Sequence, residues 1–350
     1  MKILHVLLSP RSEGTPRLVL DWLAVKEVDQ EVLFLSPEGE LRSQFEQTGV
    51  WQKYNTAFEV RAVEAMSIIR LVQQVCVERK PDIVISWIMS LSQWIHVGAR
   101  RAGVHRLIAH AGNPPGTTFL SKYLFTYLTF WTGNIVGNRI VAVSEYIRRK
   151  FLEIPFVSMR QLVMVYNCFR VDRFLNSRTT RNPKQAIMVA TLESHKDHTT
   201  LLKAWKIVEE KNQGLTLLLA GAGKMEDELK KLAAWLDLKS VTFLGSRSDI
   251  PALLNGSGIF ILSTTDQEGF GTVLLEALAS GCKVIASDVP ACREVLRGGE
   301  YGRLAKPGDP GHLAACIIEA AQSDLDEATL NAQVRYAAQF TPQRMIESYI

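Results

Sequence analysis

The chain has 350 residues, of which 47% are hydrophobic and 22% are charged, and its formal net charge is +4; this is the profile of a globular protein with room for two domains. Five scattered cysteines without CxxC or Cys/His ligand spacing argue against disulfides and a structural zinc site. No apolar run reaches membrane-spanning length, and the first apolar segment is too short for a signal peptide, so we expect an intracellular protein that is not integral to a membrane.

The first half of the chain alternates predicted strands with predicted helices. Short apolar runs predict strands over residues 2–8, 31–35, 82–87, 105–110 and 139–143. Helical spacing predicts helices between them over residues 15–25, 59–78 and 91–102. Ser144 is a suitable N-cap for a further helix that runs through Phe151.

The second half repeats this alternation. Nearly continuous apolar runs predict strands over residues 185–190, 215–221, 241–245, 259–263 and 283–287, and helices are expected to begin near residues 196, 225, 249 and 272. Such strands are typical of a parallel sheet that is covered on both faces. Residues 166–184 are polar and lack a clear period, so we interpret them as an interdomain linker. The predicted architecture is α/β, with two facing doubly wound domains and a ligand cleft at the strand C-termini.

The segment 266–282, DQEGFGTVLLEALASGC, carries the most informative functional pattern. A turn through Gly271 opens a predicted helix at Thr272, and the N-terminus of such a helix presents free N–H groups that favour a phosphate. Glu276, one turn inside the helix, could reach a hydroxyl-rich group on that phosphate. Glu268, on the preceding loop, would face the other side of the phosphate. The pattern therefore indicates a sugar-nucleotide site.

Two other predicted loops at strand C-termini contain candidate phosphate ligands. The AGAG turn at 220–223 follows a strand and precedes a helix, but the full GxGxxG is absent because Glu226 occupies its last position. A tight strand-to-helix turn would select the same glycines, so Gly223 alone leaves both interpretations open. Lys196 lies at another strand-to-helix junction on the same predicted sheet edge, which favours a diphosphate contact over a solvated lysine.

His110 ends a predicted strand just before Ala-Gly-Asn-Pro-Pro-Gly. Its side chain would point into the predicted cleft, where it could hold a hydroxyl or transfer a proton. The other six histidines are expected to pack or to face solvent. His195 and His198 flank Lys196, but no carboxylate at ligand spacing supports a metal site there.

The first half of the chain is the more basic half. Residues 1–168 carry 19 basic and 14 acidic side chains, residues 83–144 carry no Asp or Glu, and the cluster Arg148–Lys150 follows soon after. Basic faces attract anionic partners. The aromatic-rich segment 119–134 lies in the acid-free stretch; we favour a core or interdomain helix there, and the alternative is a face that dips into a membrane interface.

The second half resembles the retaining nucleotide-sugar glycosyltransferases of family 4, a group 1 glycosyl transferase family with the two-domain GT-B fold. The matching pieces are VATLESHKDHTTLLKAW (189–205), LLLAGAGKMEDELKKLA (217–233), VTFLGSRSDIPALL (241–254), EGFGTVLLEALASGCKVIASDVPACREVL (268–296) and YGRLAKPGDPGHLA (301–314). The first half matches more loosely, through Gly14, PDIVIS (81–86), AVSEYIRRKF (142–151) and VYNCFRVDRF (165–174). The resemblance implies an acceptor-side domain over residues 1–168, to which a helix at 340–350 returns, and a donor-binding domain over residues 169–339.

The resemblance also implies roles for individual residues. Glu268 would contact the transferred sugar, His110 would lie near the reacting carbon, and Glu276 would bind the ribose hydroxyls. The other positions that it assigns to the donor are Gly14, Lys196, Gly223, Arg247, Gly271, Thr272 and Val273. Among these, the backbone amides after the glycines and the lysine would hold the diphosphate, and the loop with Arg247 would lie against the base.

Three positions depart from the family pattern. Thr191 stands where the family usually has an arginine, Cys168 follows Asn167 where the family has glycine, and Gly14 lacks a second glycine beside it. One charge contact to the diphosphate is then missing or is supplied from elsewhere, with Arg11, Arg17 and Arg247 as the candidates.

We therefore predict a metal-independent retaining glycosyltransferase that moves a hexose from a nucleoside-diphosphate sugar, with UDP favoured, to a hydroxyl acceptor. The acceptor is expected to be a glycan or lipid-linked intermediate of surface polysaccharide at the cytoplasmic face of the membrane, with peripheral contact to anionic lipid. No cofactor and no nucleic-acid partner are expected. The alternatives are an inactive sugar-nucleotide-binding subunit and a nucleotide-sugar epimerase; a nicotinamide oxidoreductase is disfavoured because GxGxxG is absent.

Overall fold

Two parallel sheets organise the chain, one in each of two units. The computed structural model describes residues 1–58, 64–116, 137–154, 157–175, 180–211 and 214–350. The first unit comprises Met1–Cys168 with Pro342–Ile350, and the second comprises Phe169–Thr341. Within the described ranges, no helix is both long enough and apolar enough to cross a membrane.

The first unit is built on a seven-stranded sheet with the strand order β3-β2-β1-β4-β5-β6-β7, in which every neighbouring pair is parallel. Its strands are β1 (Lys2–Leu7), β2 (Asp29–Phe34), β3 (Gln52–Tyr54), β4 (Ile83–Ser86), β5 (Arg106–Ala111), β6 (Asn138–Ala142) and β7 (Leu162–Met164). The described helices that precede the unit boundary are α1 (Gly14–Leu23), α2 (Arg42–Gln47), α3 (Ala65–Arg79), α4 (Ser92–Arg101) and α5 (Glu145–Leu152).

The central strand β1 shows that this sheet is buried on both faces. Ile3 and Leu7 belong to one apolar cluster, whereas Leu4 and Val6 belong to another, because successive side chains of a strand point to opposite faces. The first cluster also contains three buried residues from the C-terminal end of the chain, Met345, Ile346 and Tyr349.

The second unit is built on a six-stranded parallel sheet with the order β10-β9-β8-β11-β12-β13. Its strands are β8 (Asn182–Val189), β9 (Thr216–Ala220), β10 (Val241–Gly245), β11 (Ser257–Leu262), β12 (Lys283–Ser287) and β13 (Arg303–Ala305). Its described helices are α6 (Asp172–Leu175), α7 (His198–Glu210), α8 (Glu226–Trp235), α9 (Ile250–Gly256), α10 (Thr272–Ala279), α11 (Pro290–Val295), α12 (Pro310–Gln322) and α13 (Glu327–Ala337); the chain then returns to the first unit as α14 (Pro342–Tyr349).

The predicted fold class, two doubly wound Rossmann-like domains, is confirmed by these two sheets. Strands β3, β7 and β13 were not predicted, because each has only three residues and is too short to show a pattern. The predicted helix at 59–78 begins at Ala65, with residues 59–63 outside the described part of the chain. The aromatic segment 119–134 also lies outside the described residues.

Residues 166–184, interpreted as an interdomain linker, contain the boundary between the two units and also a short helix. The unit boundary falls after Cys168, and the short helix α6 follows almost at once. Phe169 and Phe174 are buried, with ring centroids 5.5 Å apart in an edge-on arrangement. The segment is polar on average, but it places two aromatic side chains in the core.

Candidate active site

The centre of the candidate site in the second unit is an ion pair between Lys196 and Glu268. Lys196 lies on the loop after β8, Glu268 lies on the loop after β11, and these two strands are neighbours in the sheet. Parallel neighbours end at the same edge, so the two loops meet there. Lys196 Nζ lies 2.5 Å from Glu268 Oε2, and their side chains are only 17% and 9% exposed.

Backbone contacts of His195 fix the geometry of this pair. The His195 carbonyl accepts hydrogen bonds from Thr264 Oγ1 at 2.9 Å and from the Thr265 N–H at 3.0 Å, which joins the two loops directly. The Glu268 N–H in turn donates to the Thr265 carbonyl at 3.1 Å. Sequence reasoning missed this role, because it depends on the backbone of His195 and has no signature in residue type.

The loop of Lys196 also contains a strained residue. Asp197 has a φ of +36°, in the left-handed region, and its carboxylate accepts a hydrogen bond from the Thr200 N–H at 3.2 Å as the N-cap of α7. A residue other than glycine in this region costs energy, and such strain is often found where a functional side chain must be aimed. Asp197 therefore ends the 3₁₀ turn Ser194–Lys196 and caps the start of α7.

The charge of Glu268 is set by two opposing effects. Burial on its own raises the pKa of this carboxyl, but the nearby ammonium of Lys196 and its hydrogen bond outweigh burial, and the pKa lies below its usual range. Glu268 is therefore an ionised carboxylate at neutral pH, although it is almost fully buried.

Helix α10 begins beside this pair. Gly271 precedes the helix with a φ of +80°, a conformation that favours glycine. The residues of α10 that are only partly buried are Thr272, Val273 and Glu276, and the rest of the helix is buried. These are the positions of the helix that were predicted to contact the donor. Thr272 and Val273 are the first two residues of the helix, and Glu276 lies one turn further along. The uncovered face is therefore at the N-terminal end, where the first N–H groups lack a partner within the helix.

The AGAG turn packs closely against the backbone of the neighbouring loop. A Cβ at Gly221 would lie 1.9 Å from the Ala190 carbonyl oxygen, and one at Gly223 would lie 2.5 Å from that of Leu192. The Leu192 N–H donates to the Ala222 carbonyl at 3.0 Å. Loop packing by itself therefore requires both glycines, and the role of Gly223 in donor binding stays a prediction.

Arg247 and Gly14 lie in different surroundings. Arg247 follows β10 and makes a bidentate pair with Asp249, at 2.8 and 2.7 Å, and both side chains are 42% exposed. Gly14 is the first residue of α1 in the other unit, and a Cβ there would meet nothing within 4 Å. Sterics therefore do not require glycine at position 14, in contrast to position 221.

In the first unit, His110 is buried near the carboxyl end of β5. Its Nδ1 lies 2.8 Å from the Tyr349 hydroxyl, and its ring packs against Trp87 with centroids 4.6 Å apart. Burial lowers the pKa of His110 to about 3, so the ring is neutral at physiological pH. The sequence placed His110 at a strand end; its contact with Tyr349, 239 residues away, had no sequence signal.

Comparisons with known proteins relate this chain to glycosyltransferases. A phosphatidyl-myo-inositol mannosyltransferase of Mycobacterium leprae is 31% identical over 202 residues, which are 56% of this chain and 52% of that protein. The Mycobacterium tuberculosis enzyme of the same name is 34% identical over 194 residues, 53% and 48% of the two chains. Residues 173–339 match the glycosyl transferases group 1 family. Together, the family match and these relatives support a glycosyltransferase.

The group 1 match covers the second unit almost entirely, and it includes both Lys196 and Glu268. The chain spans about half the length of the mycobacterial relatives. A solved structure of Anabaena HepE with UDP and glucose has a TM-score of 0.84 and 20% identity, and it covers 99% of both chains. This likeness to the HepE structure confirms the predicted GT-B fold class.

Proposed function

We propose that this protein is a retaining hexosyltransferase that uses a nucleoside-diphosphate sugar as donor and a hydroxyl group as acceptor. The observation that carries the proposal is the buried Lys196–Glu268 pair beside the uncovered N-terminal face of α10. An ammonium, a set of helix N–H groups and two carboxylates at one sheet edge suit a ligand that has both phosphates and hydroxyls.

Departure of the diphosphate is the demanding step, because negative charge accumulates on it as the sugar gains oxocarbenium character. The N–H groups at Thr272 and Val273 and the Lys196 ammonium would stabilise that charge in positions fixed before the donor binds. Glu276, one turn further along α10, would accept hydrogen bonds from the ribose hydroxyls. Thr191 supplies no charge where the family usually has an arginine, so Lys196 would be the principal cation of the second unit at the diphosphate.

Glu268 would position the transferred sugar. The bond between the sugar's anomeric carbon and the phosphate oxygen breaks, and a bond to the acceptor oxygen forms on the same face of the ring. The departing phosphate oxygen takes the acceptor's proton, so the atoms balance without a protein nucleophile and without a metal. His110, neutral in the first unit, would act as a hydrogen-bond partner of the substrate, because its depressed pKa makes it a poor base.

The donor and acceptor classes have separate support. HepE, which has the same fold, binds UDP and glucose, and this favours a UDP-sugar donor. The mycobacterial relatives are named for a lipid, phosphatidyl-myo-inositol, and this favours a lipid-linked acceptor and peripheral membrane contact. The basic cluster Arg148–Lys150 is a weaker argument for membrane contact, because its members pair with Glu145 and Glu153.

The test combines donor binding with analysis of the product. A thermal-shift panel of UDP-, GDP-, ADP- and dTDP-sugars identifies the donor, because a bound ligand raises the unfolding temperature. The NMR coupling constant of the anomeric proton in the product then reports retention or inversion. Glu268→Ala should lower turnover by about a hundredfold or more, whereas Glu226→Ala, which removes an exposed carboxylate of α8, should leave turnover unchanged.

Each rival outcome has its own signature. Near-normal transfer by Glu268→Ala would contradict the assigned role. Donor binding without transfer or hydrolysis would identify an inactive binding subunit, and an epimerised nucleotide sugar without an acceptor product would identify an epimerase.

A further inference from the structure

Tyr349, the last residue of α14, is buried against the surroundings of His110. Its side chain is 3% exposed; its ring meets Trp22 edge-on at 4.9 Å and stacks over Trp87 at 6.2 Å. Trp87 is also the ring on which His110 packs. The C-terminal helix thus contributes a phenol to the pocket of a histidine that the sequence placed in the catalytic set.

The direction of the hydrogen bond between Tyr349 and His110 follows from its surroundings. A buried hydroxyl proton needs an acceptor, and among the described residues the acceptor within hydrogen-bond distance is His110 Nδ1, at 2.8 Å. Because the imidazole is neutral, a nitrogen that accepts leaves the ring proton on the other nitrogen. His110 therefore carries its proton on Nε2, which lies beside Gly112, where a Cβ would be only 3.2 Å away.

A second chain of hydrogen bonds fixes the ring on which His110 packs. Trp87 Nε1 donates to His5 Nδ1 at 3.1 Å, which leaves the proton of neutral His5 on Nε2, and this nitrogen donates to Gln30 Oε1 at 3.1 Å. The amide of Gln30 donates in turn to the carbonyl of Trp22 at 2.8 Å. Each hydrogen bond in this series has a defined donor and acceptor, so the Trp87 ring cannot rotate without breaking a buried hydrogen bond.

We propose that Tyr349 is a positioning residue that holds His110 in the tautomer with its proton on Nε2 and aims that N–H at an oxygen of the bound substrate. This inference rests on the proposed function for the identity of the substrate, but the tautomer itself does not. Without the phenol, Nδ1 and Nε2 would compete for the proton, and the ring would lose the hydrogen bond that orients it.

The alternative is that Tyr349 only fills space in the core. Tyr349→Phe distinguishes the positioning role from the packing role, because it keeps the ring against Trp22 and Trp87 and removes only the hydroxyl. Tyr336→Phe is the matched control: the Tyr336 hydroxyl is also buried and also donates over 2.8 Å, but its acceptor is the Val295 carbonyl in the second unit.

The first readout is the pair of imidazole nitrogen shifts of His110 in histidine-labelled protein, assigned by their loss in His110→Ala. The wild type and Tyr336→Phe should show the Nε2–H tautomer, and Tyr349→Phe should show a mixture. An unchanged tautomer in Tyr349→Phe would overturn the proposal. This readout needs no substrate, so it decides the claim about Tyr349 even if no donor is turned over, a result that would refute the proposed function instead.

The second readout is kcat. Loss of one hydrogen bond that orients a substrate contact should lower kcat by about tenfold in Tyr349→Phe, with no comparable loss in Tyr336→Phe. In a His110→Ala background, Tyr349→Phe should have no further effect, because the two residues act as one unit. An equal loss in that background would assign Tyr349 a purely structural role.

Discussion

Replacement of Lys196 by methionine tests the central ion pair. Methionine keeps most of the length of the side chain and removes the charge, so Glu268 is left almost fully buried without its partner. The Lys196 ammonium is the main cause that holds the pKa of Glu268 below its usual range, against burial. Once the ammonium is gone, burial dominates and the pKa of Glu268 should rise above its usual range.

The expected loss of stability is large because the pair is buried. Removing one partner of a buried pair typically costs about 3 kcal/mol, which for a unit of this size corresponds to about 6–12 °C in Tm. The size of this loss depends on pH. In the wild type, the lowered pKa means that the pair stabilises the fold above the usual carboxyl pKa, and this contribution is lost as pH falls through the lower folded pKa. In the variant, the raised pKa means that the penalty is present at neutral pH and disappears as Glu268 gains a proton.

The assay is calorimetric unfolding of the wild type and Lys196→Met at pH 7 and at about pH 4.5, near the usual glutamate pKa. The difference in Tm should be largest at pH 7 and should shrink at the lower pH. The double variant with Glu268→Gln should recover most of the stability, because no buried charge remains, while transfer stays abolished. Lys230→Met, which breaks the exposed pair with Glu226, is the control and should leave Tm unchanged.

Two results would refute this reasoning. A loss of Tm that is the same at both pH values would mean that Glu268 is not the group left without a partner. Failure of the double variant to recover stability would mean that the lysine stabilises the loop through its packing and not through its charge.

Three further predictions follow from the structure. Gly221→Ala should destabilise the second unit by about 3 kcal/mol, because its Cβ would collide with the Ala190 carbonyl, whereas Gly245→Ala, with positive φ but open space, should cost about 1 kcal/mol in the same urea titration; similar costs would contradict the loop-packing argument. Ser144→Ala should lower the stability of the first unit by about 1 kcal/mol, because Ser144 Oγ accepts the Ile147 N–H at the start of α5; no loss would mean that water replaces the cap. Burial lowers the pKa of His5 and of His96 to about 4 and that of His110 to about 3. Below the usual histidine pKa of 6.5 the unfolded chain binds protons that the folded chain does not, so the fold loses stability as pH falls from 6.5 towards these folded values. Unfolding at pH 5 should therefore take up nearly one proton per histidine, measured by calorimetry in buffers of different ionisation enthalpy, and uptake below one proton in total would contradict their neutrality.

The fold could be predicted from the sequence because the sequence patterns that indicate strands and helices are local. The long strands of both sheets are short continuous apolar runs, and burial on both faces requires that composition at every position. The three-residue strands β3, β7 and β13 were not predicted, because a strand of three residues pairs through its backbone and is too short to show a periodic pattern of side chains. The burial of Phe169 and Phe174 within the linker 166–184 had no sequence signal for a related reason, because two buried aromatics in a polar stretch do not make a period.

The local geometry of the candidate site in the second unit was also predictable in part. A glycine turn followed by a helical run predicts a phosphate-binding helix start, and the structure leaves Thr272, Val273 and Glu276 as the uncovered residues of α10. The sequence did not indicate that Gly221 and Gly223 are required by the backbone of the neighbouring loop, since a close approach to a ligand and to another loop select the same residue.

By itself, the amino-acid sequence determined the two Rossmann-like domains and the residue types at the carboxyl edge of each sheet, because both depend on the spacing of neighbours along the chain. Only the tertiary structure decided which of those residues meet. Lys196 and Glu268 are 72 positions apart and His110 and Tyr349 are 239 apart. Such contacts depend on strand order and on the return of the last helix, and burial then sets the charge of each group. The buried carboxylate of Glu268 stays ionised because an ammonium lies 2.5 Å from it. The imidazole of His110 stays neutral because burial lowers its pKa, and the group 2.8 Å from its Nδ1 is an uncharged phenol.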